Sequence, residues 1–302
     1  MRLTQLIWEN SVPSLAVWSG MSGGWIDAAS LLSAIGSEKR SSLRLLSLLR
    51  EDDPKATLNT LYNAWKKHEC GELSEAIKIS PISGRVSALF DPSVKIVCVG
   101  LNYREHAKEF GDDCPDNPVI FCKASSSLNG DGMPIFLPAL SNSVDYEGEL
   151  VAVIGKTCKN VSKDHALDYV AGYTCGNDVS ARDWQFGNTA KQWFLGKSFD
   201  SFAPVGPCLV TRDEINNPNC LDISTRLNGE VVQSSNTKFF IFQMEEIISY
   251  VSSVMTLNPG DLIFTGTPSG VGGACTPPRY LKKGDSVSVH IEGIGDLNNP
   301  IV

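Results

Sequence analysis

Apolar and polar positions change their rhythm along this chain. Near the start, Leu15-Ala16-Val17-Trp18 and Trp25-Ile26-Asp27 flank a Gly-rich stretch, which predicts two strands joined by a hairpin turn. Three helical stretches are expected next, at 28–35, 41–49 and 54–68. In the last, Leu58, Leu61 and Trp65 recur at helical spacing, and Pro54 suits a first turn. Residues 69–92 are polar and carry Gly71, Pro81, Gly84 and Pro92. A boundary is expected there, between an N-terminal accessory region at 1–80 and a second domain at 93–302.

From residue 95 the pattern turns to short apolar runs bounded by Gly and Pro. Strands are expected at 95–99, 119–122, 145–154, 171–177, 262–265 and 286–291. A helix is expected at 163–170, with Ser162 as its N-cap. Another is expected at 242–255, where Ile247, Ile248, Val251 and Met255 share a face. Many strands, few helices and no regular alternation of the two predict a β-rich α+β fold and disfavour a doubly wound one.

Composition narrows the function classes. The chain has 302 residues, 42% hydrophobic and 20% charged, which is ordinary for a globular protein and excludes disorder as the main state. No apolar run approaches the roughly 18 residues that span a bilayer. The net charge is -8, with no basic cluster beyond Lys66-Lys67 and Lys282-Lys283. That argues against nucleic acid and anionic membranes as partners. A small anionic substrate stays open, given a local clamp of metal or Arg/Lys. Nine cysteines include no C-x-x-C pair, so neither a zinc ribbon nor a dithiol redox site is expected. The opening segment has neither a signal-peptide core nor an Arg/Ser-rich transit pattern. The expected compartment is the cytoplasm, with the mitochondrion as alternative, and the thiols should be reduced and mostly buried.

The chemistry concentrates in carboxylates. In Asp145-Tyr146-Glu147-Gly148-Glu149, alternate residues of a strand share a face, with Cα atoms about 6.6 Å apart. Solvated surface acids are one reading. The apolar run Leu150-Val151-Ala152-Val153-Ile154 instead carries this strand into the core, where acids side by side need a cation or a proton between them. Asp178, at the end of the strand expected at 171–177, is a third acid. Oxygen ligands without Cys or His select Mg²⁺, Mn²⁺ or Ca²⁺ over zinc, and three monodentate carboxylates leave coordination positions open.

Other candidates surround these acids. His106 and Glu109 sit at i, i+3, the spacing of an oriented general base; on spacing alone a solvated surface pair is the favoured reading. Lys197 lies in the apolar stretch Phe194-Leu195-Gly196-Lys197-Ser198-Phe199, so it either snorkels or needs an anionic partner. Arg182 can clamp a carboxylate. The loop at 265–273 is Gly-rich but lacks the Gly-Lys-Ser/Thr ending of a P-loop. Gly20-Met21-Ser22-Gly23-Gly24 matches the G-x-S-x-G nucleophile pattern, yet it falls in the expected hairpin turn rather than a strand–turn–helix elbow.

Six segments in order carry a resemblance: Val99-Gly100-Leu101-Asn102-Tyr103 with His106; Asp145-Tyr146-Glu147-Gly148-Glu149-Leu150; Gly172-Tyr173; Asn177-Asp178-Val179-Ser180-Ala181-Arg182-Asp183; Gly196-Lys197-Ser198-Phe199-Asp200; and Thr265-Gly266-Thr267-Pro268. With them the chain resembles the fumarylacetoacetate hydrolase (FAH) superfamily over 93–302, and more loosely before. The resemblance implies a mixed β-sandwich roll with a smaller N-terminal α/β region, and a homodimer. It implies Mg²⁺ or Mn²⁺ on Glu147, Glu149 and Asp178. It makes His106, paired with Glu109, the base on a lid, sets Lys197 beside metal and substrate, and gives Arg182, Gln185 and Thr265 to substrate oxygens. It implies action on small 2-oxo or β-keto acids through an enolate that the metal stabilises. The stretch at 227–237 looks most like one subgroup, which points to oxaloacetate enol–keto tautomerisation. Acylpyruvate hydrolysis and oxaloacetate decarboxylation are the alternatives. A non-catalytic member of the fold that keeps its metal, or a purely structural metal, is the alternative of another class. Residues 186–192 match no substrate subgroup and 269–275 are rich in small residues, which leaves room for a bulkier β-keto acid.

Overall fold

The computed structural model describes residues 1–302 except 8–12, 21–22, 38–42, 74–78, 81–84, 87–88, 110, 112 and 188–190. Its centre is the antiparallel pair Gly148–Ile154 and Val170–Asn177, in register from Gly148 opposite Asn177. All of Gly148–Ile154 is buried, as the unbroken apolar run requires when both faces are covered.

On one side, Leu262–Phe264 pairs with Gly148–Ile154, then Ile96–Gly100 runs parallel to it and Val119–Lys123 closes the edge. On the other side come Ala203–Thr211 and then Arg2–Ile7, Ser14–Ser19 and Gly24–Asp27. The N-terminal strands thus extend the sheet of the second part. A second sheet has the order Glu230–Asn236, Asp222–Leu227, Ser286–Ile291, Gly295–Pro300.

Alternation along Gly148–Ile154 separates two cores. Val151 and Val153 face Leu45, Leu48, Leu61 and the other leucines of the N-terminal helices. Leu150, Ala152 and Ile154 face Ile223, Val289 and Ile291 of the second sheet and Ile247 and Val251 of the helix Met244–Val254. The architecture is α+β and strand-rich.

Most expected elements form, with informative differences. The strand expected at 145–154 is interrupted: Val144–Asp145 pairs with Ser180–Ala181, and regular pairing restarts at Gly148. Asp145 is drawn aside by Arg182 and by the N–H groups of Gly272 and Gly273, each within 2.9 Å. The helix expected at 41–49 forms over Leu45–Leu49, while residues 41–42 lie outside the described residues. The helix expected at 163–170 closes at Ala166 and continues as a 3₁₀ turn, and the Ser162 hydroxyl does not cap it. Helix Met244–Val254 is capped instead by Gln243 and Glu246. Met21 and Ser22 of the G-x-S-x-G match also lie outside the described residues. All nine cysteines are free, as expected, but four are buried and four exposed, because several sit in turns rather than strands. Among the described residues, no helix is long and apolar enough to cross a membrane.

Candidate metal centre and active cleft

Strand pairing brings the three acids together. Glu147 and Glu149 flank Gly148 where the central pair begins, and Asp178 follows its partner strand. Asp178 N–H donates to the Glu147 carbonyl at 2.9 Å, and Glu147 N–H donates to Asn177 Oδ1 at 2.9 Å. One carboxylate oxygen from each of Glu147, Glu149 and Asp178 lies within 4.8 Å of the others, and all three residues are buried.

Cations enter from separate elements. Lys197 follows the short helix Trp193–Gly196, and its Nζ donates to Glu147 at 2.9 Å, Asp178 at 2.7 Å and Ser180 Oγ at 2.8 Å. Lys197 therefore takes an anionic partner rather than snorkelling. Lys123 ends the edge strand, and its buried Nζ donates to Asp178 at 2.5 Å and to the Val179 carbonyl at 3.1 Å. Arg182 opens the helix Arg182–Phe186, pairing with Asp145 at 2.9 Å and Glu147 at 2.6 Å and donating to Gln185 Oε1 at 2.9 Å.

Charge is left over at one residue. Four buried carboxylates (Asp145, Glu147, Glu149, Asp178) meet three buried cations (Lys123, Arg182, Lys197). Glu149 accepts from Gly266 N–H at 2.7 Å, and no Lys or Arg among the described residues forms an ion pair with it. Burial, then the charges of Asp178 and Glu147, push its carboxyl well above the ordinary range. Burial would raise Glu147 too, but Lys197 and Arg182 overcome this and hold it down at about 2. Glu149 thus calls for a proton or a metal ion. Three oxygen donors with one uncompensated charge fit a hard divalent cation.

The helix Arg104–Glu109 stands over this cluster. His106 Nδ1 lies 3.1 Å from Glu109 Oε2, and Glu109 Oε1 accepts from Gly270 N–H at 2.6 Å. One carboxylate thereby orients the imidazole and ties the helix to the loop at 265–273. Buried Asn102 anchors the helix start by donating to the Thr265 and Phe242 carbonyls at 2.7 and 3.1 Å and accepting from Phe242 N–H. The cleft between helix and acids is lined by His106, Glu147, Arg182, Gln185, Lys197 and Thr267.

The structure brings His106, Glu109, Lys197, Glu147, Glu149, Asp178, Arg182 and Gln185 to one place. Thr265 is the exception. Its hydroxyl donates to the Leu150 carbonyl at 2.8 Å within the strand pairing, and Thr267 borders the cleft instead. The sequence reading missed Lys123, whose only signal is a cation closing the apolar run Val119-Ile120-Phe121-Cys122. It also missed Gln233, which donates to Thr267 and the Pro268 carbonyl at 2.8 Å and accepts from Gly148 N–H at 3.0 Å.

Comparisons with known proteins bear on the family and the fold. The family described as fumarylacetoacetate (FAA) hydrolase C-terminal matches residues 95–302. The chain is 50% identical over 226 residues to the fumarylacetoacetate hydrolase domain-containing protein 2 homolog of Dictyostelium discoideum, covering 72% of this chain and 74% of that one. It is 50% identical over 208 residues to the Homo sapiens protein named oxaloacetate tautomerase FAHD2A, mitochondrial; this covers 69% of the chain and 66% of that protein, just under two thirds of its length. Among solved structures, the fumarylacetoacetate hydrolase of psychrophilic Exiguobacterium antarcticum superimposes with a TM-score of 0.80 at 34% identity, over 100% of this chain and 99% of that one.

Proposed function

The chain belongs to the fumarylacetoacetate hydrolase family, and on that premise we propose that it is a metal-dependent oxaloacetate enol–keto tautomerase. The observation that carries this reading is the buried acid cluster with uncompensated Glu149, facing an oriented His–Glu pair across one cleft. Glu147, Glu149 and Asp178 would hold Mg²⁺ or Mn²⁺. When bound, the cation supplies positive charge to the carboxylate and keto oxygens of a 2-oxo acid and so acidifies carbon 3.

His106 is assigned the proton transfer at carbon 3. Glu109 holds Nδ1, so Nε2 is the atom that exchanges the proton. Lys197 balances Glu147 and Asp178 beside the substrate, and Arg182 with Gln185 orients the substrate carboxylate. The named activity of the Homo sapiens relative supports this choice among the family's reactions. A homodimer belongs to the same proposal. Apolar Met133, Phe136, Leu140 and Val302 are exposed near the bridge between Ile135 and Ile301. Sedimentation should give twice the chain mass, and a monomer at micromolar concentration would remove that part.

The test of function is an NMR time course with oxaloacetate and with acetylpyruvate, with Mg²⁺ and with EDTA. Faster enol–keto exchange of oxaloacetate without new products, lost with EDTA and reduced at least about 10²-fold in His106→Ala, is the expected result. Pyruvate with CO₂, or pyruvate with acetate, would instead establish a decarboxylase or an acylpyruvate hydrolase. Full turnover in His106→Ala would remove the assigned base.

A further inference from the structure

One wall of the cleft is aromatic. Phe121 of the edge strand and Trp193 meet edge to face, with ring centroids 5.4 Å apart. Phe186 meets Trp193 in the same manner at 6.1 Å. Val99 and Leu101 extend this wall along the cleft. The backbone is shaped around it: a Cβ on Gly100 would stand 2.6 Å from the Trp193 ring, so the indole can lie against the strand end only because residue 100 has no side chain. Phe121 and Trp193 are half-buried and Phe186 is exposed, so all three keep surface towards the opening. The wall begins beside the acids. Lys197 Nζ, bonded to Glu147 and Asp178, lies 5.0 Å from the Phe121 ring centroid.

The charged groups of the cleft lie at the inner end of this wall, where Lys197 meets Phe121. Among the described residues that line it, Arg182 and Lys197 are the permanent cations, and both are held by the acids. A 2-oxo acid anchored by its carboxylate and keto oxygen at the acids has this wall within reach of its carbon-3 substituent. An apolar group there buries surface against the rings. We infer that the cleft accepts 2-oxo acids carrying an apolar, aryl-sized group on carbon 3, a wider class than small dicarboxylates. The inference rests on the tautomerase reading above. Its chemistry is the same: the C3–H bond breaks, its electron pair becomes the C2=C3 bond, and the keto oxygen takes up a proton. Substrate and product have the same atoms, and no oxidant or reductant enters.

The experiment uses the Mg²⁺-loaded 302-residue protein with phenylpyruvate as aryl probe and oxaloacetate as reference. Enol–keto exchange is followed by NMR and by the ultraviolet absorbance of the conjugated enol. The protein is expected to accelerate both. Phe186→Ala, at the rim, and Trp193→Ala, within the wall, are each expected to lower the ratio of kcat/KM for phenylpyruvate to that for oxaloacetate by at least about tenfold. Because Trp193 packs on Gly100, Phe186→Ala keeps the test valid if the other variant fails to fold. Exchange of oxaloacetate without phenylpyruvate, or an unchanged ratio in Phe186→Ala, would overturn this inference and leave the proposed function standing. Exchange of neither would overturn the proposed function and the inference with it.

Discussion

Glu149 is the residue at which the buried site leaves negative charge uncompensated, and this makes it pH-sensitive. Its carboxyl is held well above its ordinary value of 4.5 by burial and by Asp178 and Glu147. Without metal, and above the pH at which this raised carboxyl titrates, the folded state carries the penalty of a buried charge. As pH falls towards 4.5, the folded state takes up a proton that the unfolded chain does not yet hold, and the penalty is relieved. Below that value both states are protonated and the relief stays constant. The metal-free protein should therefore gain stability from this residue as pH falls towards 4.5, and Glu149→Gln should raise its Tm at pH 7 and flatten the dependence. Metal affinity should run the opposite way, weakening as pH falls, because the ion must displace that proton. Calorimetric titration should show proton release on binding and an affinity at least about tenfold weaker in Glu149→Gln. Metal binding independent of pH would refute the ligand role.

At the scale of elements, the cleft depends on how the helix Arg104–Glu109 is held to the loop at 265–273. Gly270 joins them: its N–H donates to Glu109, its φ is +104°, and an added Cβ would lie 2.1 Å from the Val232 carbonyl oxygen. Both the backbone conformation and the space require glycine. Gly270→Ala is expected to lose about 1–3 kcal/mol in denaturant unfolding. It should also release the helix, seen as faster amide exchange across 104–109. Unchanged exchange there would mean that Asn102 and the Tyr103–Phe240 bridge suffice to anchor it. Such a clamp was only partly legible. The i, i+3 spacing of His106 and Glu109 predicted their pairing, but nothing local to Glu109 indicates a glycine 161 residues away.

For the whole molecule, the N-terminal region shares a sheet and a core with the second part. Arg2–Ile7 pairs with Ala203–Thr211, and Leu3, Leu15 and Leu61 share a core with Val151, Val153 and Phe264. A fragment of residues 93–302 would expose one face of the central sheet and the edge of Ala203–Thr211. It is expected to aggregate or to lose cooperative unfolding. A soluble fragment with a single sharp transition would show that the second part folds alone.

What the chain determined by itself was whatever depends on near neighbours: strand and helix periods, the apolar run at Leu150-Val151-Ala152-Val153-Ile154, and the chemical identity of Glu147, Glu149, Asp178, His106 and Lys197. Where the reading missed, the deciding partner was distant. Asp145 left the shared face because Arg182, 37 residues on, pulls it aside. Thr265 turned inward because the Leu150 carbonyl, 115 residues away, takes its hydroxyl. Lys123 entered the site because Asp178, 55 residues on, faces the end of its strand. Side-chain type and local period are written in the chain, but which charges meet is set by strand register and sheet order, and only the folded structure decides these.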